Sequence, residues 1–227
     1  MPRLTARILE QMTALPEGAA VSARALLHLG TRAAVDQSLS RLVRRGKLLR
    51  AGRGLYVRPV ATRFGTRPPS VQHVVDALAG SRGEVIVAHG AAAANALGLT
   101  TQVPVRAVYL TSGRSRDLQV GAQTVELRHA PAWQLSMPGT AAGDAIRALS
   151  WLGEAHAGEA LRTLRQRLPT STLTEIVGAR ARLPTWLAEQ VSQVIVNAGV
   201  LPSSIRDGSP RCARRGRGSL RPPAAPA

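Results

Sequence analysis

The sequence predicts an α+β protein: an N-terminal winged helix-turn-helix, then a small α+β unit, then a helical C-terminal portion. Three observations predict it. Two capped helical segments joined by a tight turn occupy residues 22–45 and lead into two short strands around Gly52-Arg53-Gly54. Strand-like and helix-like segments then alternate from Val71 to His129. From Thr140 onward, Ile146, Leu149 and Leu152, then Leu161, Leu164 and Leu168, recur at helical spacing.

Taken in order, Ala6 to Leu15 carries Ile8, Leu9, Met12 and Leu15 on one helical stripe, and Pro16-Glu17-Gly18 breaks it. Ser22 is placed to cap a short helix over Ala23 to Leu29, which Gly30 ends. Thr31 caps a third helix, Arg32 to Arg45, with Gly46 as its stop. On that helix Val35, Leu39, Leu42 and Val43 share an arc of about 100° that reads as the core face. Ala33, Gln37, Ser40, Arg41 and Arg44 lie opposite, while Arg32 falls near the core side by angle. Lys47 to Ala51 and Leu55 to Arg58 read as the wing, with Leu48 and Tyr56 closing it onto the helices. Pro68-Pro69 marks a linker. Beyond it the pattern predicts a helix over Val71 to Ala79, a strand over Glu84 to Ala88 and a helix over Ala91 to Leu97. A strand over Val105 to Thr111 and a hairpin from Leu118 to His129 follow. Leu173 to Ala181 and Trp186 to Ala198 complete the helical portion, with Pro169 and Pro184 near the two helix starts. The expected organisation is a winged helix over 1–60, a linker over 61–70, an α+β and helical domain over 71–201 and a disordered basic tail over 202–227.

The 227 residues are 44% hydrophobic, enough for a core, and carry a net charge of +17. The position of that charge is informative. Residues 1–60 hold 11 basic side chains against three acids, whereas residues 71–201 hold 11 against nine. The tail holds six arginines and one acid. A basic N-terminal module points to a polyanion, most simply duplex DNA. The small residues facing away from the core on the third helix allow close approach to a major groove, where Gln and Arg can make paired contacts to base edges. The candidate DNA contacts are therefore Thr31, Arg32, Ala33, Gln37, Ser40, Arg41, Arg44, Arg45, Lys47, Arg50 and Arg53. Gln37, Arg41 and Arg44 are assigned to bases; Arg45, Lys47, Arg50 and the wing-tip Arg53 to phosphates.

The single cysteine, Cys212, excludes an intrachain disulfide framework and a cysteine-based zinc finger. No stretch approaches the roughly 18 apolar residues of a membrane span. Met1 to Leu15 lacks the apolar centre of a signal peptide, so a reducing, intracellular compartment and no membrane partner are expected. The chain has no Walker, HExxH or GxSxG pattern, and its five histidines are widely spaced. No enzymatic activity, cofactor or metal is expected. His89-Gly90 and Arg128-His129 are the candidates for a polar site, and Arg114 and Arg116, flanking Ser115, form a small basic patch.

The run GTRAAVDQSLSRLVRRGKLLRAGRGLYVRP, within Ser22 to Pro59, resembles the N-terminal winged helix of AbiEi-type antitoxins. The block HGAAAANALGLTTQVPVRAVYLTSGRSRDLQVGAQTVELRHA, His89 to Ala130, is similar to the region that follows it in the same family. Two blocks in the same order and spacing make the resemblance more specific than a winged helix alone. It covers roughly residues 5–200. It implies a cytoplasmic bacterial antitoxin of a type IV, abortive-infection toxin–antitoxin system. Such a protein is expected to bind inverted repeats in its own promoter and repress the operon. It is also expected to counter a nucleotidyltransferase-like toxin by opposing action, without a stable complex, through residues 71–201. The alternatives are a stand-alone winged-helix transcriptional regulator with a ligand-sensing C-terminal domain, and an enzyme that reverses the toxin's modification. The absence of catalytic motifs argues against the last.

Overall fold

The computed structural model describes residues 3–16 and 18–196. The expected tail over 202–227, with Cys212, lies outside the described residues, as does Ala198. The fold is mixed α+β. Among the described residues no helix is long and apolar enough to cross a membrane.

Helix α1 (Leu4–Thr13) is followed by strand β1 (Ala20–Ser22), a 3-10 helix (Ala23–Leu29) and α2 (Arg32–Arg44). Both expected caps form: Ser22 Oγ accepts from Ala25 N–H at 3.2 Å and Thr31 Oγ1 accepts from Ala34 N–H at 3.4 Å. Caps of this kind contribute about 1 kcal/mol each. β2 (Leu49–Gly52) and β3 (Leu55–Val57) make the hairpin, and β1 adds to β3 to give an antiparallel sheet of order β1-β3-β2. β1 is not visible as a strand in the sequence. It is three residues long and exists because Val21 pairs with Tyr56. Ile8 and Met12 of α1, Leu26, the Val35, Leu39 and Leu42 stripe of α2, and Leu48 and Tyr56 of the hairpin form one buried cluster.

The stretch expected as a linker over 61–70 contains a second hairpin, β4 (Val60–Thr62) and β5 (Gly65–Arg67). Helix α3 (Val71–Arg82) then starts at a Ser70 cap. A four-stranded sheet follows, built from β6 (Ile86–Ala88), β7 (Ala107–Thr111), β8 (Arg116–Val120) and β9 (Gln123–His129), in the order β6-β7-β9-β8. β7 and β9 run parallel; the other pairs are antiparallel. Helix α4 (Gly90–Ala96) connects β6 to β7.

The two sheets are not separate bodies joined by a tether. β2 and β8, each an edge strand of its own sheet, lie against one another. Ala51, Leu55 and Val57 of the hairpin share a buried cluster with Val74, Val75 and Leu78 of α3 and with Leu118, Val120, Val125 and Leu127 of the second sheet.

The helical portion comprises α5 (Ala141–Leu152), α6 (Glu154–Arg167), α7 (Thr170–Gly178) and α8 (Thr185–Val191), the last continuing in a π turn over Ser192–Val196. Pro169 and Pro184 stand at the N-caps of α7 and α8. α5 crosses α4 closely. A Cβ on Gly90 would collide with the Arg147 carbonyl and with Trp151, and Ala93, Ala94 and Ala148 fill the rest of the contact. Arg147 is almost wholly buried. Its charge is held by Asp144 at 2.6 Å and by the carbonyls of Gln134 and Ser136, each at 3.3 Å. The Arg167 guanidinium donates to the carbonyls of Leu97 and Gly98, at 3.3 and 3.1 Å, closing the C-terminus of α4 from α6.

A core shared in this way predicts one cooperative unfolding step for the N-terminal module and the second sheet. Leu78→Ala removes a fully buried side chain and should cost about 2–5 kcal/mol. Urea transitions followed by the backbone amide NMR signals of β3 and of β9 should move together; the three tryptophans, Trp133, Trp151 and Trp186, lie outside both sheets. A fragment beginning at residue 71 should fail to give the native transition, because it removes Ala51, Leu55 and Val57 from the cluster they share with α3 and the second sheet.

Candidate nucleic-acid interface

Helix α2 is amphipathic in the sense the sequence requires. Val35, Leu39 and Leu42 are buried and Val43 is half-buried. Ser38 is buried too, a small polar residue that the hydrophobic stripe does not announce. Ala33, Gln37, Ser40, Arg41 and Arg44 are all exposed on the other side. The first turn carries no acid, and Arg41 and Arg44 lie in the last turn, where cations complement the helix dipole.

Thr31 and Arg32 are exposed at the N-terminus of α2, and the direction left open for Arg32 is outward. Its guanidinium meets Asp36 at 2.8 Å, one turn along. Both side chains are well exposed, and such pairs are worth only about 0.3–0.5 kcal/mol, so a phosphate can compete for Arg32. Arg45 and Lys47, just beyond the helix, are also exposed. The α2 residues, with Arg45 and Lys47, thus form one cationic face and end.

The β2–β3 hairpin divides differently. Arg50 is exposed, with its Nε donating to the Gly52 carbonyl at 3.4 Å. Arg53 is exposed at the tip, but the tip does not stand free. It borders a cleft of about 690 Å³ shared with Arg82, Glu84, Arg114 and Arg116. In register, Leu49 opposes Val57 at the root and Gly52 opposes Leu55 near the tip, so Arg53 lies at the far end of the hairpin from Lys47. The structure brings ten of the eleven candidates to α2 and the near part of the hairpin, and Arg53 to the second sheet.

The basic patch at Arg114–Arg116 is partly neutralised. Arg116 donates to the Glu84 carboxylate, which also accepts from Thr111 Oγ1 at 3.1 Å. Arg114 remains exposed. His129 is a latch: its backbone N–H donates to Ser115 Oγ and its Nδ1–H to the Gly113 carbonyl, each at 2.9 Å. Arg128 forms a two-pronged pair with Glu126, at 2.7 and 3.0 Å. That hydrogen bonding holds the Glu126 carboxyl below its usual range.

His89 caps α4, its Nδ1 accepting from Ala91 N–H at 3.2 Å. Burial, and then the Arg128 charge, push its pKa down, while Glu126 opposes them. His89 also lines a cavity of about 400 Å³ with Arg106, Tyr109 and Gln123. Among the described residues no three His, Cys, Asp or Glu side chains gather as metal ligands.

The profile of a family of unknown function, DUF6088, matches residues 7–171. The chain belongs to the DUF6088 family. That match spans nearly all of the N-terminal module, the second sheet, α5 and α6, and ends at the start of α7, so DUF6088 covers both surfaces described above. No curated protein matches this DUF6088 chain. Among solved structures it is similar to the RV2827C protein from Mycobacterium tuberculosis, at 15% identity and a TM-score of 0.47, over 88% of this chain and 78% of that one.

The sign of the His89 shift fixes a pH dependence. A histidine with a lowered pKa is protonated first in the unfolded chain, so stability is fully present above about pH 6.5 and is lost as pH falls towards the folded value. Protonation also removes the Nδ1 acceptor that caps α4. His89→Asn keeps a capping side chain and should flatten the melting temperature between pH 7 and 5 relative to the parent protein, as read by differential scanning fluorimetry.

Proposed function

We propose that this protein binds duplex DNA through α2 and represses its own promoter, acting as the antitoxin of a bacterial type IV system. The observation that carries the DNA-binding part is the outer face of α2. Its small, amide and guanidinium side chains are all exposed opposite a fully buried stripe, and they continue into the exposed cations Arg45 and Lys47. The element order α1, β1, 3-10 helix, α2, β2, β3, with its β1-β3-β2 sheet, is the arrangement a winged helix needs, and it supports that reading. Gln37, Arg41 and Arg44 read base edges in the major groove. Arg45, Lys47 and Arg50 hold phosphates, with Thr31, Arg32, Ala33 and Ser40 lining the approach. Arg53, turned towards the second sheet, contributes less than Lys47.

The antitoxin role rests on the resemblance of Ser22–Pro59 and His89–Ala130 to AbiEi-type proteins. On this reading residues 71–201 counter a nucleotidyltransferase-like toxin in the cytoplasm without a stable complex. A second reading, a stand-alone regulator that senses a ligand, is favoured by the cavity beside His89 and Tyr109.

Binding of the full-length protein to its own upstream DNA should weaken with salt at a log–log slope near −5, for about six neutralised phosphates. Arg44→Ala should relax sequence preference, whereas Lys47→Ala should weaken all sequences alike. A Gln37→Ala/Arg41→Ala/Arg44→Ala variant that footprints the promoter normally would end the assignment. Co-expression with the product of the adjacent gene then separates the two roles. Growth rescue by both the parent and the triple variant supports an antitoxin with separable repression. No rescue, with promoter binding intact, leaves a plain regulator.

A further inference from the structure

The β4–β5 hairpin contributes nothing to the buried clusters, yet it is ordered at both ends. Residues 61–68 are all exposed. At the root, Pro69 is buried, and Pro68 packs so closely on Gly121 that a Cβ there would collide with its ring. At the tip, Thr62 Oγ1 donates to the Gly65 carbonyl at 2.8 Å and accepts from Phe64 N–H at 3.3 Å. The Arg63 guanidinium lies 4.6 Å from the centroid of the Phe64 ring, and Phe64 is 85% exposed. A small hairpin with no core of its own gains no packing from that ring.

Its place in the fold is informative. Val57 pairs with Leu49, two residues beyond Lys47. The chain therefore leaves β3 at the end of the sheet where α2 terminates in Arg44, Arg45 and Lys47, and β4 begins at Val60. Three residues per strand carry the tip about 10 Å from its root. The sequence contains no acid between Asp36 and Asp76. A cation and a ring on one rigid tip, within an acid-free stretch, suit nucleic acid better than a protein partner.

We propose that β4–β5 is a second DNA-contacting element, in which Arg63 enters the minor groove flanking the segment read by α2 and Phe64 wedges into a base step. The inference rests on the duplex-DNA reading above. Arginine follows the negative potential of a narrow minor groove, and an inserted apolar side chain unstacks a step and kinks the duplex. The exposed ring, held on a pinned turn, is the wedge; the neighbouring guanidinium is the groove anchor.

The test uses the full-length protein and duplex DNA from the region upstream of its own coding sequence. Hydroxyl-radical footprinting should show a protected core with minor-groove protection on its flank, and circular-permutation gels should show a bend. Phe64→Ala should keep the core footprint, lose the bend and bind about tenfold more weakly. Phe64→Leu, still an apolar wedge, should retain the bend, and Arg63→Ala should lose the flanking protection. The hairpin lies outside the core, so unchanged circular dichroism is expected for all three variants. If the parent protein footprints without a bend, or Phe64→Ala matches the parent in affinity and bend, the hairpin assignment is overturned while DNA binding stands. If the parent leaves no footprint on the duplex, the DNA-binding reading itself fails and takes this inference with it.

Discussion

The structure depends on the apolar face of α3. Val74, Val75 and Leu78 sit under two sheets at once, meeting Ala51, Leu55 and Val57 on one side and Leu118, Val120, Val125 and Leu127 on the other. The first sheet gives Val21 and Tyr56 to the helices of the N-terminal module, which leaves Ala51, Leu55 and Val57 to be covered by α3 and the second sheet, and a sheet with one uncovered apolar face is not stable in water. Sharing one helix satisfies both. The close packing of the loop before β1 against His73 adds to the same anchorage, since a Cβ on Gly18 would collide with that side chain.

That arrangement constrains the β2–β3 hairpin. In a free-standing module the hairpin tip is available to a ligand on all sides. Here the tip borders a cleft with the turn between β7 and β8, and Arg53 lines it together with Arg82 and Glu84. The outer face of α2 is unaffected, because its buried stripe packs on α1, the 3-10 helix and Leu48, away from the second sheet. The exposed outer face of α2 and the surface joined to the rest of the chain are thus on different parts of one small module. β2 approaches the second sheet closely at Gly52, where a Cβ would sit 3.4 Å from the Leu118 methyl.

Much of this was legible in the sequence because it is local. The caps Ser22 and Thr31 and the helical period of α2 act over three or four residues, and they placed the exposed face correctly. The features that escaped are those set by distant partners. β1 is three residues with no alternation to read, and only Val57, Tyr56 and Leu55 make it a strand. The parallel pairing of β7 with β9 has no local signature. Arg167 looks like a solvated helix residue until α4 places two carbonyls against it. Arg147 lies on an α5 face that its charge would assign to solvent, yet Asp144 and two turn carbonyls allow it to be buried. The cleft that Arg53 lines with residues of the second sheet is hidden for the same reason, and the Arg63–Phe64 tip is masked by the flanking prolines, which read as a linker.

The meeting of β2 with β8 has a consequence for the behaviour of the chain in a crowded solution. An open sheet edge is a template on which another chain can add a strand. Each sheet has two such edges, and the abutment covers one on each. Among the described residues, what remains are β1, β6 and the two strands of the β4–β5 hairpin, each only three residues long. Strands that short offer too few free backbone groups to seed stacking of copies. The packing that fixes the β2–β3 hairpin in place therefore also removes two edges from edge-to-edge pairing and leaves only short ones.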